Sequence, residues 1–383
     1  MTQTSARRRR ALVGLLATVA AAASIVVLAP ASPAGAAPPP LPAPNSDGIT
    51  LTGWVQVTAG EPATVARLLD ATVTTGSIFR PGVGPSINPT TIPVKVRILL
   101  PADYTTDPSH PYPVLYLLHG GAGQWSDWSG SDGDVKNIVA GSPFDGIVVM
   151  PEGGRAGWYS NWRGQTDGRF SPQWEDFHVR QLVPWIDANF NTIADRSGRG
   201  IAGVSMGGLG TLMYSARFTG TFSRVGSLSA GTDLTEPGAQ QIVADSLWQA
   251  GASIGNTGLL DGNYRVTGST LDRLRTVFGP EGANGRWDAQ NPYQMAGNYN
   301  AYDTRFGLYS GQNALPWEGE GNIGRWNTHF HQALNANGVA HRYCTGTGSH
   351  AWSYWRQDLA DFLDYAYGTT PSSCPNGWGA PAA

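Results

Sequence analysis

The spacing of apolar residues changes repeatedly along this chain. Residues 94–100 alternate apolar and polar, which predicts an early strand with one exposed face. Residues 114–118 and 147–150 are unbroken apolar runs, the pattern of parallel strands covered on both faces. Between 174 and 190, Phe177, Leu182, Trp185 and Ile186 fall at helical spacing, and residues 208–218 predict a second helix. Further strands are expected at 200–204, 224–229, 305–310 and 341–345, and helices at 325–336 and 355–367. Strands alternating with helices predict an α/β fold: a doubly wound, mostly parallel sheet with helices on both faces and functional loops at the carboxyl ends of the strands. Residues 232–302 are rich in Gly and Asn and lose this periodicity, so they read as an insertion over the site with no core of its own.

The first 36 residues stand apart. Arg7 to Arg10 form a basic start, an apolar stretch follows, and Ala34-Gly35-Ala36 offers a small-residue cleavage site. The apolar stretch is about long enough to span a bilayer, at roughly 18 residues. Its alanine content and the prolines that follow it favour a signal peptide, exported by the general or the twin-arginine route. A Pro-rich linker over 37–47, one domain over 48–370 and a tail over 371–383 complete the organisation, and the mature protein is expected to be secreted, free or tied to the cell wall, with no stable membrane span. The whole chain has 383 residues, 41% of them hydrophobic and only 14% charged, which excludes extended disorder. A formal charge of -3 argues against a nucleic-acid partner. In an oxidising compartment the two cysteines, Cys344 and Cys374, are expected to form a disulfide that pins the tail near His350.

The strongest chemical signal is Gly203-Val204-Ser205-Met206-Gly207, set between an apolar strand and a helix. A nucleophile at such an elbow needs glycines on either side, because strand and helix backbones approach too closely for a Cβ. Ser253 sits in a similar Gly-x-Ser-x-Gly pattern but lacks a preceding strand. A serine of ordinary acidity needs a general base, and His350 follows the last strand, where the order Ser, acid, His puts it. His329 and His331 point to different faces of a helix and read as surface histidines, while His341 begins a strand. Between residue 310 and His350 the carboxylates are Glu318 and Glu320, and the residues alone leave the choice open. Backbone N–H donors for a tetrahedral oxyanion are expected from Met206 and from Gly121 in the loop Leu118-His119-Gly120-Gly121-Ala122. His119 lies on that loop, and it is taken with Trp158, Trp162 and Trp352 as a candidate substrate contact.

Several blocks occur in a telling order: Leu117-Leu118-His119-Gly120-Gly121, Met150-Pro151-Glu152-Gly153-Gly154, Trp158-Tyr159-Ser160-Asn161-Trp162, Gly203-Val204-Ser205-Met206-Gly207-Gly208, Gly226-Ser227-Leu228-Ser229-Ala230, and Gly348-Ser349-His350-Ala351-Trp352. From about residue 90 to about 365 the chain resembles the esterase D family, most closely the secreted actinobacterial branch that contains the mycolyltransferases of the antigen 85 complex. The resemblance implies an α/β-hydrolase fold and acyl transfer through an acyl-serine on Ser205 with His350 as base. It also implies that the acid is Glu320, seven positions before Asn327, which precedes Phe330 by three. Where the mycolyltransferases carry an Asp and an Arg that contact trehalose, this chain has His119 and Ala122. The expected protein is thus a secreted serine esterase or acyltransferase using no cofactor and no metal, acting on a small-molecule or lipid and sugar ester. Mycolyltransferase-type transfer to a sugar or glycerol, and a catalytically idle surface-binding protein, are the alternatives. A zinc hydrolase would need a ligand spacing this sequence lacks.

Overall fold

The computed structural model describes residues 45–57, 67–80, 90–163, 172–250, 269–279, 287–301, 305–312 and 319–379. The expected leader, most of the linker, Ser253 and Glu318 lie outside the described residues. Within them the chain opens with β1 (Asn45–Ser46), β2 (Ile49–Gln56) and β3 (Arg67–Thr75), then a small separate pair, β4 (Phe79–Arg80) and β5 (Thr90–Thr91). The remaining strands are β6 (Val94–Leu100), β7 (Val114–Leu118), β8 (Ile147–Pro151), β9 (Arg199–Val204), β10 (Arg224–Leu228), β11 (Phe306–Gly311) and β12 (Arg342–Gly346). The main sheet has the order β1-β2-β3-β6-β8-β7-β9-β10-β11-β12. Its leading strands pair antiparallel as far as β6 with β8, and every pairing from β8 onward is parallel.

The unbroken apolar runs become buried strands because both faces are covered. In β7, Val114, Tyr116 and Leu118 face one hydrophobic cluster while Leu115 and Leu117 face another. The first cluster lies under α2 (Val183–Asn189), α3 (Met206–Arg217), α4 (Pro237–Ala250) and α5 (Thr270–Phe278), with Phe330 and Leu334 of α6 (Glu320–Ala336). The second lies under α1 (Val135–Ala140) and α7 (Trp352–Tyr367).

One expectation changes. Residues 94–100 do not form an exposed strand, because β6 runs between β3 and β8 inside the sheet. Its polar positions meet partners instead of water: Lys95 Nζ donates to Thr72 Oγ1 at 2.7 Å, and Arg97 forks onto Asp70 at 2.7 and 2.9 Å. The span 232–302 is described only in part. It contains α4 and α5, whose Val243, Leu247, Leu274, Val277 and Phe278 join the main core, and Ser269 with Asp272 forms a capping box at the start of α5.

Candidate active site

The sharp turn between β9 and α3 carries Ser205 with φ 55° and ψ -117°, a conformation disfavoured for a residue with a side chain. The surrounding backbone holds it there: Ser205 N–H donates to Leu228 O at 2.8 Å. A Cβ on Gly203 would stand 2.5 Å from Gly207 O, and one on Gly207 would stand 2.5 Å from His119 O. Only glycine permits this approach, so the turn lifts the serine to the carboxyl edge of the sheet.

Two loops, after β11 and after β12, meet this edge. After β11 the chain reaches Gly319 at φ 72° and enters α6 on Glu320, a fully buried carboxylate. Glu320 Oε1 accepts from Gly311 N–H and from Ser229 Oγ, both at 2.8 Å, and Oε2 accepts from His350 Nδ1–H at 2.6 Å. A Cβ on Gly311 would lie 2.5 Å from Gly348 O, so glycine lets the loop after β11 touch the loop after β12. Trp355 sets its ring edge-on to His350 at 4.8 Å and donates from Nε1 to Ser229 Oγ at 3.0 Å. His350 is thereby fixed with its Nδ1 proton on Glu320, which leaves Nε2 as the basic nitrogen. Among the described residues neither Ser205 Oγ nor His350 Nε2 has a hydrogen-bond partner. Such bonds often close only when substrate is bound.

The loop after β7 is braced at three successive carbonyls. Leu118 O accepts from Trp128 Nε1 at 2.9 Å, His119 O from Tyr159 Oη at 3.0 Å, and Gly120 O from His119 Nδ1 at 2.8 Å. Ala122 N–H is used by Arg155 O at 2.7 Å, whereas Gly121 N–H has no acceptor among the described residues. A Cβ on Gly121 would lie 3.9 Å from Met206 Cβ, so the loop stands directly beside the start of α3. Met206 is the first residue of that helix, and its N–H has no intrahelical acceptor.

Three candidate substrate contacts are buried. His119 is 1% exposed, and its Nε2 accepts from Gly153 N–H at 2.9 Å, so both ring nitrogens are used inside the protein. Trp158 and Trp162 are buried, with their indole N–H groups on Ser246 Oγ and Gly157 O. Large aromatics in a Gly-rich loop are drawn into the core by their area. Trp352 is half-buried between Trp128 and Trp355 near His350. His331 is not a free surface histidine, since its Nδ1 shares a 2.7 Å hydrogen bond with His341 Nε2. Cys344 and Cys374 are joined in a disulfide.

Sequence reasoning missed Ser229 and His178. Ser229 has φ 48° and ties Glu320 to Trp355. His178 lies in a π-helical stretch, Asp176–Leu182, where its ring bridges Tyr214 Oη at 2.9 Å and Glu152 O at 2.8 Å. Both act through partners far away in sequence, so no local motif announces them.

A serine on an elbow after a central parallel strand, with a carboxylate and a histidine following later strands, defines the α/β-hydrolase architecture. The chain belongs to a family of esterases, described as putative esterase, whose model matches residues 88–365. An esterase of Mycobacterium tuberculosis is 47% identical over 141 residues, which make up 36% of this chain and 29% of that protein, so the match spans less than a third of the relative's length. A diacylglycerol acyltransferase/mycolyltransferase, Ag85A of Mycobacterium ulcerans, is 28% identical over 278 residues, covering 68% of this chain and 76% of the relative. Among solved structures, Mycobacterium tuberculosis MPT51 matches with a TM-score of 0.53 at 20% identity, covering 76% of this chain and 98% of its own, which shows the shared fold.

Proposed function

We propose that this protein is an exported serine enzyme that cleaves or transfers acyl esters through an acyl-serine. The observation that carries the reading is the 2.6 Å contact from His350 Nδ1 to buried Glu320, made at the sheet edge that also presents Ser205. In this reaction Ser205 Oγ attacks the ester carbonyl while His350 Nε2 takes its proton, and Glu320 stabilises the imidazolium. The oxyanion is received by the N–H groups of Gly121 and Met206, and the braced carbonyls of residues 118–120 keep the first of these fixed before substrate arrives. His350 then protonates the leaving alcohol. Water or a second alcohol, activated by His350, releases the acyl group and restores Ser205.

The Ag85A relative supports an alcohol acceptor, while the buried His119 supplies none of the sugar contact expected from the Asp of the mycolyltransferases. Export is supported by the Cys344–Cys374 disulfide together with the basic and apolar start of the chain. The test is to incubate the mature protein with acyl esters of graded chain length, with and without sugar or glycerol acceptors, and to identify the products. Free acid alone indicates hydrolysis, acylated acceptor indicates transfer, and no turnover of any ester contradicts the proposal.

A further inference from the structure

Behind Glu320 lies a second carboxyl group that the reaction does not use. Asp358, on α7, is fully buried, and its Oδ1 accepts from Asn376 Nδ2 at 2.7 Å. Asn376 belongs to the C-terminal segment that the Cys344–Cys374 disulfide ties to β12. Two oxygens at this contact are left over: Asp358 Oδ2 and Asn376 Oδ1 are both buried without a hydrogen-bond partner among the described residues. Two acceptors cannot satisfy each other, and an orphaned buried oxygen costs about 1–3 kcal/mol. A proton on Asp358 Oδ2 removes both deficits together. The acid O–H then donates to the amide oxygen while the amide N–H donates to the acid carbonyl, which closes an eight-membered ring.

We propose that Asp358 and Asn376 form a neutral acid–amide pair, and that Asp358 is a positioning residue holding α7 and the C-terminal segment against the Glu320–His350 dyad without adding a second negative charge there. The proposal rests on the reading of Glu320 as the residue that orients His350. The charges around the pair agree with it. Burial pushes the Asp358 carboxyl well above the usual carboxylate range, and the neighbouring carboxylates of Glu320 and Asp361 push it the same way. Asp361 has its own cation, for Arg342 forks onto it at 2.7 and 2.8 Å and Tyr309 Oη donates to it at 2.8 Å. No cation is bonded to Asp358 among the described residues, so the proton is what neutralises it. Asn376 suits its place because it adopts φ 58°, a left-handed conformation that asparagine tolerates better than most residues.

Asp358→Asn and Asn376→Gly separate charge from pairing. Asn at 358 can form the same ring with an amide, and Gly at 376 removes the amide while accepting the positive φ. The infrared difference between wild type and Asp358→Asn at pH 7 should contain the carbonyl band of one un-ionised carboxylic acid. The midpoint of the kcat/KM pH profile should stay in place in Asp358→Asn, because a neutral group replaces a neutral group. Asn376→Gly should lower kcat roughly tenfold at nearly constant KM, as expected when a reacting group is misplaced and binding is intact. A missing acid band overturns the proposal, and so does a midpoint displaced to lower pH in Asp358→Asn, since either means that an ionised carboxylate stood there. Unchanged kcat in Asn376→Gly overturns the positioning role. If Glu320 were not the acid, Glu320→Gln would keep its activity and the proposed reaction would fail, while the infrared band would still report the pair.

Discussion

Acidification should destabilise this protein through His178, and the size of the effect can be worked from its surroundings. The ring is 4% exposed and stacks on Trp174 at 5.7 Å. Its Nε2–H donates to Glu152 O, which leaves Nδ1 to accept from Tyr214 Oη, so the neutral ring is fully satisfied. Burial dominates and lowers its pKa from 6.5 to about 3. The unfolded chain therefore binds a proton below pH 6.5 that the native protein refuses until about pH 3. Stability from this group is present in full above pH 6.5 and falls by about 1.4 kcal/mol per pH unit as pH drops through that window. By pH 5 the loss is about 2 kcal/mol, a sizeable part of the 5–15 kcal/mol typical of a domain. His178→Phe removes the titration but strands Glu152 O and Tyr214 Oη, at a cost of roughly 2–6 kcal/mol at pH 7. Urea unfolding of both proteins at pH 7 and pH 5, followed by tryptophan fluorescence, is the assay. The wild-type advantage should shrink by about 2 kcal/mol at pH 5. An advantage that is equal at the two pH values refutes the reasoning.

Glu320→Gln should lower kcat by about 10⁴, the scale of losing the correct histidine tautomer, while Glu318→Gln should do little; steady-state kinetics on a short acyl ester decides, and the opposite ranking moves the acid. Gly207→Ala should cost about 1–3 kcal/mol in denaturant unfolding and most of the activity, because its Cβ would meet His119 O at 2.5 Å. Cys374→Ser opens a loop with a sequence separation of 30 residues, worth roughly 3–4 kcal/mol in the chain-entropy model. Calorimetry should show a lower Tm, and activity after mild heating should decay before the sheet unfolds.

The parts of the fold that could be read in advance are those where the apolar pattern is dictated by two-sided burial. Residues 114–118, 147–150 and 200–204 became β7, β8 and β9 within a residue or so, and the elbow at Ser205 followed from its glycines. The antiparallel lead-in from β1 to β3 escaped notice, since its burial alternates irregularly across a bulge between Leu51 and Gly53. The start of α6 was placed at residue 325 instead of Glu320 because Gly321 and Gly324 weaken the helical signal. Of the candidate site, Ser205 and His350 are marked by their place after strands, and the choice of Glu320 came from the family pattern. The support that Ser229, from the β10 loop, gives Glu320 depends on a contact 91 residues away in the chain, which local spacing cannot encode.

The central claim is that Ser205 is the nucleophile, and the most direct measurement is covalent labelling of the mature protein with a fluorophosphonate, read by intact mass and peptide mapping. The account predicts one adduct per chain, located on Ser205, absent from Ser205→Ala and strongly slowed in Glu320→Gln. An adduct on another residue, or labelling that persists in Ser205→Ala, contradicts it.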